Sequence, residues 1–393
     1  MKRYLADLIF PGKGRSVANG MLLTNDDGTI LDLIQPGQTG YETSDAMYFE
    51  GALVPGFVNA HLHLELSHLK GVIPQGTGLD GFVEHLGKVR HEIPLPDEFL
   101  LSKTDEEMHE KGVVAAGDIC NTHHTFDVKI KSKIRYHNFI ELFAFRPERA
   151  MLVFQQGIDL TSLAHSKGLS ASLSPHAPYS ASDELMRLIT SELKTKSNKT
   201  LSIHFQESEE EIEFISTGGG KMSDRLRRMN INTQDYKAEP DGPTAWLIRN
   251  IPATQRLLTV HNTFSSVEEI EKLTARFDDA WFCTCPSANL FISGKIPGRN
   301  TLLSAENRWC IGTDSLASNT TLDMLYEMRI IQEAHGFNLE KLIPMATMQG
   351  ARALGLDQEF GSFEPGKRPG IVHLSKLNHK ELLILPETRS RLI

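Results

Sequence analysis

The chain is poor in cysteine, has no long apolar run, and carries no surplus of positive charge. Four cysteines in 393 residues cannot build a disulfide framework, and Cys283-Thr284-Cys285, set in an apolar stretch, reads as buried thiols. Without a run of about 18 or more apolar residues, and with a mean hydropathy of -0.25, a membrane span is excluded. Lys and Arg total 41 against 50 Asp and Glu, a net charge of -9. A phosphate-backbone partner calls for the opposite sign, which excludes nucleic acid. No glycine-rich phosphate loop follows a strand. Gly218-Gly219-Gly220 comes after an acidic, helical run and reads as a flexible connector, which argues against an open doubly wound sheet. The start, Met1-Lys2-Arg3, meets Asp7 before any apolar core of a signal peptide forms, so a cytoplasmic protein is expected.

The informative stretch is Pro55-Gly56-Phe57-Val58-Asn59-Ala60-His61-Leu62-His63-Leu64-Glu65. On a strand, residues two apart share a face, so His61 and His63 can meet one cation. A single H-x-H is more often two solvated histidines on a half-buried strand. Downstream, however, His204 with Glu207, then His261, then Asp314 each end a separate short apolar run. That is where an α/β barrel places its chemistry.

Residues 4–53 alternate apolar pieces with turn chemistry such as Asn25-Asp26-Asp27-Gly28, the mark of a small β unit. From Phe57, eight strand-like runs follow: Phe57 to His63, Gly112 to Cys120, Ile134 to Phe143, Leu169 to Ser174, Thr200 to His204, Arg256 to His261, Ala280 to Cys285 and Trp309 to Asp314. Helical patterning separates them, and Ser182 and Ser266 supply helix-start chemistry. Strands alternating with helices imply parallel pairing and a (β/α)8 TIM barrel over 54–359. Leu339 to Leu354 reads as one helix after the last barrel strand, and Ile371 to Leu374 as a final strand. A lone strand pair is barely stable, so this strand should join the N-terminal ones, giving a small discontinuous β-sandwich from 1–53 and 360–393.

Six motifs in order now carry a resemblance: Pro55 to His63, Ser174-Pro175-His176-Ala177-Pro178-Tyr179-Ser180, His204-Phe205-Gln206-Glu207, Val260-His261-Asn262, Cys285-Pro286-Ser287-Ala288-Asn289-Leu290, and Gly312 to Asn319. Together they resemble the amidohydrolase superfamily, and within it the nucleobase and nucleoside deaminase and chlorohydrolase-like branch. The departures are mild: Lys70 stands where arginine is usual, and Pro369-Gly370-Ile371 where an Ala-Asp-Leu turn is common.

Imidazole and carboxylate suit a catalytic zinc that keeps one position for water. His61, His63, His204 and Asp314 are the expected ligands of one divalent metal, with zinc first and iron(II) and manganese(II) left open. The resemblance implies a single metal, because the fourth strand ends in Ser174-Pro175-His176 and not in the lysine that dinuclear relatives carbamylate. Glu207 is the expected acid and base; its bland alternative is a solvated helix start in the acidic run to Glu213. His261 is expected to hydrogen-bond the attacking oxygen, with Asp314 beside it. His176 is expected to hold substrate. Arg146, just before Pro147, is expected to grip an anionic or hydroxyl-rich substituent.

The leading expectation is hydrolytic deamination of an aminated, substituted N-heterocycle, nucleobase- or nucleoside-like. The alternatives are cleavage of a cyclic amide, displacement of chloride, or a binding protein that has lost catalysis. A small-molecule substrate is the only partner expected, and assembly of like chains is left open.

Overall fold

Eight short apolar runs of β-branched and aromatic residues become eight parallel strands, and the turn-punctuated chain ends become a separate mixed sheet. The computed structural model describes residues 1–194, 200–229, 231–234 and 236–393. From the N-terminus come β1 (Lys2–Ile9), β2 (Val17–Ala18), β3 (Met21–Thr24), β4 (Ile30–Ile34) and β5 (Met47–Pro55). The parallel strands are β6 (Phe57–Leu62), β7 (Val113–Cys120), β8 (Arg135–Leu142), β9 (Ser170–Pro175), β10 (Thr200–Phe205), β11 (Arg256–His261), β12 (Ala280–Thr284) and β13 (Trp309–Ile311). At the C-terminus lie β14 (Ile371–Asn378) and β15 (Leu383–Leu392).

The strands β6 to β9 pair in sequence order as one four-stranded parallel sheet, and β10 to β13 as another. Between β9 and β10, the Ser172 hydroxyl donates to Thr200 O at 2.9 Å and His204 N donates to His176 O at 2.9 Å. Between β13 and β6, Thr313 N and Asp314 N both donate to His61 O, at 3.0 and 3.1 Å. Gly312 makes this second approach sterically feasible, since a Cβ there would lie 2.7 Å from His61 O.

The seven-stranded mixed sheet runs β15-β14-β5-β1-β3-β4, with β2 on β1. The last strands thus join the first ones through β14 on β5, with Val372 opposite Val54. Tyr4, Ile9, Leu22, Leu53, Phe363 and Ile371 form an apolar cluster distinct from that of the parallel strands.

Helix starts follow the sequence signals. Ser182 Oγ accepts from Leu185 N, and Ser266 with Glu269 forms a reciprocal capping box. Leu339 to Leu354, expected as one helix, is two, Leu339–Ala346 and Met348–Leu354. The Thr347 hydroxyl bonds Ile343 O at 2.7 Å while its own backbone leaves the helical region. The glycine triplet is a joint between helices. Gly218, left-handed at φ 72, ends Glu209–Thr217, and Gly219 caps Gly220–Arg228. Among the described residues no helix is long and apolar enough to cross a membrane.

Candidate metal centre and active site

The C-terminal ends of β6, β10, β11 and β13 converge on one buried cluster. His61 and His63 leave β6 on the same side, as their spacing of two requires, and their Nε2 atoms lie 3.2 Å apart. His204, at the end of β10, brings a third ring nitrogen within 4.8 Å of the other two. Asp314 Oδ1 stands 3.3 Å from His63 Nε2 and 3.7 Å from His61 Nε2. Its other oxygen, Oδ2, accepts from Ser318 Oγ at 2.6 Å.

Electrostatics puts these donors in their ligating forms. Burial drives His61 and His63 below the usual histidine range, so both are neutral. Burial alone would raise Asp314, but the hydrogen bond with His61 and the nearby His63 and His261 rings hold it well below the usual carboxylate range. Two imidazole nitrogens in van der Waals contact, both facing an ionised carboxylate, are what a shared cation arranges. The residues fit a divalent metal.

Glu207 and His261 form the next layer. Glu207 is 5 % exposed, and burial pushes its carboxyl up to about 8, with His204 opposing and Asp314 adding. Its Oε1 lies 3.6 Å from His261 Nε2. Position 207 is held from below: the Glu211 carboxyl oxygens accept from Gln206 N and Glu207 N at 3.0 and 2.9 Å, and the Ser208 hydroxyl caps Glu211 N. The acidic run is therefore a helix start as well, and Glu207 is the member just ahead of it that turns inward. His261 and Asp314 both take the left-handed backbone, at φ 74 and 55. Non-glycine residues rarely adopt it, and here it re-aims side chains at the ends of strands.

His176 lines the cavity, with its Nδ1 against Ser180 Oγ at 2.8 Å. Its carbonyl accepts from His204 Nδ1 at 2.9 Å, which would leave His204 Nε2 for a cation. Burial lowers His176 to about 4, so it too is neutral. His63, His176, His204, Glu207, His261 and Asp314 all border one cavity of about 900 Å³. Its outer wall comes from two helices that the sequence did not announce, Gly78–Glu92 and Gly220–Arg228, which bring Phe82, Leu86 and Leu226.

Arg146 stands elsewhere. It borders an adjoining cavity of about 450 Å³, together with Arg149, and not the cavity of the histidines. Pro147 does begin the next helix, with Arg146 at its N-cap, but Arg146 borders only the adjoining cavity. Glu141, Asn121, Phe143 and Phe145 border both spaces.

Three residues escaped the sequence reading. Glu141 ends the third parallel strand, 8 % exposed; a charged side chain inside the apolar run Phe139-Ile140-Glu141-Leu142 was the available signal. Asn289 Oδ1 faces His261 Nδ1 at 2.8 Å, and Ser318 holds Asp314. Both lie inside motifs noted for their neighbours. The four cysteines are buried and unpaired, and Cys285 serves packing.

Comparison with known proteins fits this geometry. The sequence matches the amidohydrolase family over residues 52–388. The chain belongs to that family. It is 28 % identical over 343 residues to an adenosine deaminase of Helicobacter pylori, covering 84 % of this chain and 81 % of that protein. An aminodeoxyfutalosine deaminase of Nitratiruptor is 26 % identical, with coverage of 85 % and 79 %. The crystal structure of Helicobacter pylori aminofutalosine deaminase with methylthio-coformycin superposes with a TM-score of 0.83 at 24 % identity, over 97 % of this chain and 94 % of that one. The fold is thus an α/β fold of the TIM-barrel type, and this amidohydrolase is a hydrolase of carbon–nitrogen bonds in a metal-dependent family.

Proposed function

We propose that the protein is a zinc-dependent deaminase of an aminated N-heterocycle carrying a substituent. The observation that carries this is the pairing of a ligand set, His61, His63, His204 and Asp314, with a buried acid, Glu207, on the rim of one cavity. The names of the relatives, deaminases of adenosine and of aminodeoxyfutalosine, support an aminopurine nucleoside as the substrate class.

A divalent cation at the four ligands would lower the pKa of a water toward neutrality. In its ionised form Glu207 would take a proton from the attacking water and deliver it to the ring nitrogen next to the amidine carbon. The new carbon–oxygen bond forms as that ring nitrogen gains its proton. The carbon–nitrogen bond to the amino group then breaks, a second proton leaves with the nitrogen as ammonia, and the oxo heterocycle remains. His261 offers Nε2 to the attacking oxygen, because Asn289 engages its Nδ1. His176 holds the ring from the β9 side. Arg146 can act only on a substituent long enough to enter the adjoining cavity.

The same reading takes 54–359 as a catalytic barrel closed through the β9–β10 and β13–β6 seams, and 1–53 with 360–393 as a small β domain. Metal analysis of the purified protein, coupled to ammonia release from aminopurines, aminopyrimidines and adenosine derivatives, tests the function. Zinc with ammonia release supports it; chloride or a ring-opened acid as product, or no turnover with metal bound, defeats it.

A further inference from the structure

The carboxylate of Glu141 is anchored on one side and open on the other. Its Oε2 accepts from Asn121 Nδ2 at 2.8 Å, and Asn121 Oδ1 in turn accepts from Arg90 at 3.1 Å. Its Oε1 is buried and has no hydrogen-bond partner among the described residues. Two histidines lie near it without satisfying it. His204 Nδ1 is 3.5 Å away, but its proton goes to His176 O at 2.9 Å. His176 turns Nδ1 to Ser180. A buried carboxylate oxygen left unpaired costs free energy, and an ionised carboxylate only accepts, so the missing partner is a donor brought by the ligand.

The strand geometry says which part of the ligand that is. Glu141 and Phe143 are two residues apart at the end of β8, where side chains alternate, and both border the large cavity. Glu141 is 8 % and Phe143 52 % exposed, so the first lies beside the histidines and the second at the mouth. Beyond Glu141 the wall combines Phe143, Phe82, Leu86 and Met229 with the charged side chains of Lys88, Arg90, Arg225 and Arg228. The reacting amidine belongs at Glu207 and the metal ligands. Glu141 therefore meets the segment between the reacting ring and the part of the ligand at the mouth.

We propose that Glu141 is a specificity-determining residue that accepts hydrogen bonds from adjacent hydroxyls of a sugar attached to the heterocycle. One oxygen with two lone pairs takes both donors of a vicinal diol. This rests on the deaminase reading for the identity of the ring. It adds the recognition element that separates a nucleoside from a free base.

The test is binding by calorimetry to zinc-loaded Glu207→Gln protein, with adenosine and 2′,3′-dideoxyadenosine as probes, repeated in Glu207→Gln/Glu141→Gln. Metal content is measured in both. The expected result is a preference for the diol of about tenfold to a hundredfold, the scale of hydrogen bonds to a charged group, collapsing to within about twofold without the Glu141 carboxylate. An unchanged preference, no binding of either nucleoside, or an equal loss for both probes overturns the proposal; the last would mean that Glu141 acts through His176 and His204. Ammonia release by the wild type is scored separately. Diol-selective binding without turnover would leave this inference standing and remove the deaminase reading.

Discussion

Asn289 and His261 are joined by a 2.8 Å hydrogen bond between the amide oxygen and the ring Nδ1, and this bond fixes which nitrogen of His261 faces Glu207. The amide assignment agrees with its other contact, in which Asn289 Nδ2 donates to Thr284 Oγ1 at 3.4 Å. With Nδ1 protonated and committed, Nε2 of the neutral ring turns to the reacting centre. Asn289→Leu frees the ring to flip and is expected to lower kcat by about tenfold to a hundredfold, as is usual when a ligand's or catalytic histidine's orienting partner is lost. Steady-state kinetics with metal content held equal checks this; an unchanged kcat would mean that the ring is held by packing alone.

His204→Ala should bind metal far more weakly than the wild type, and the wild type should hold about one divalent ion per chain. Chelation should also lower the melting temperature, because a cation bound only by the folded state stabilises it by mass action. Elemental analysis after dialysis and a thermal melt read the two effects. Full metal retention in the variant would remove His204 from the ligand set.

Glu207→Gln keeps shape and burial but removes the proton carrier. Its kcat is expected to fall by about a hundredfold or more, the scale of a positioned general acid and base, with metal content unchanged. Near-wild-type turnover would exclude Glu207 from proton transfer.

Lys129 and Asp118 form an ion pair with both side chains fully buried, and Lys129 also donates to Asn138 Oδ1 at 2.6 Å. Asp118 Oδ1 accepts from Leu64 N at 2.8 Å, directly after His63. Lys129→Met leaves that carboxylate uncompensated, at a cost of about 3–5 kcal/mol. Adding Asp118→Asn should recover part of the loss. Denaturant unfolding of the two variants decides it: no recovery in the double variant would mean that packing, not charge, is at stake.

Burial raises the Glu211 carboxyl from its ordinary 4.5 to about 8, although Glu207 N and Gln206 N partly oppose it. The folded chain therefore holds this proton more tightly than the unfolded one. By linkage, stability is highest below about pH 4.5 as far as this group is concerned and declines as pH rises toward 8. Replacing Glu211 by Gln removes this contribution, so the melting temperature of the variant relative to wild type should climb between pH 5 and 8 (roughly the window set by the two values). A constant difference across that window would show that Glu211 stays ionised in the fold.

The sequence by itself determined the strand positions and the residue types that gather at one site. Short apolar runs ending in His61 and His63, His204, His261 and Asp314 had to be strands delivering polar groups to one rim, because spacing of two and strand-end placement follow from backbone geometry. Local chemistry likewise fixed the caps at Ser182 and Ser266. What the sequence did not carry were contacts between distant segments. The helix Gly78–Glu92, with Gly78, Gly81 and Gly87 in it, has weak intrinsic propensity and exists by packing over the cavity. Arg146 could be placed after the third strand, but which of the two cavities it borders depends on the path of the chain beyond Phe145. Glu141 shows the same limit. Its residue type was visible, but its unpaired oxygen arises only where β8 meets Asn121, His176 and His204, from three other segments. Periodicity reports the face a side chain shares with its own strand; tertiary packing decides what waits on that face.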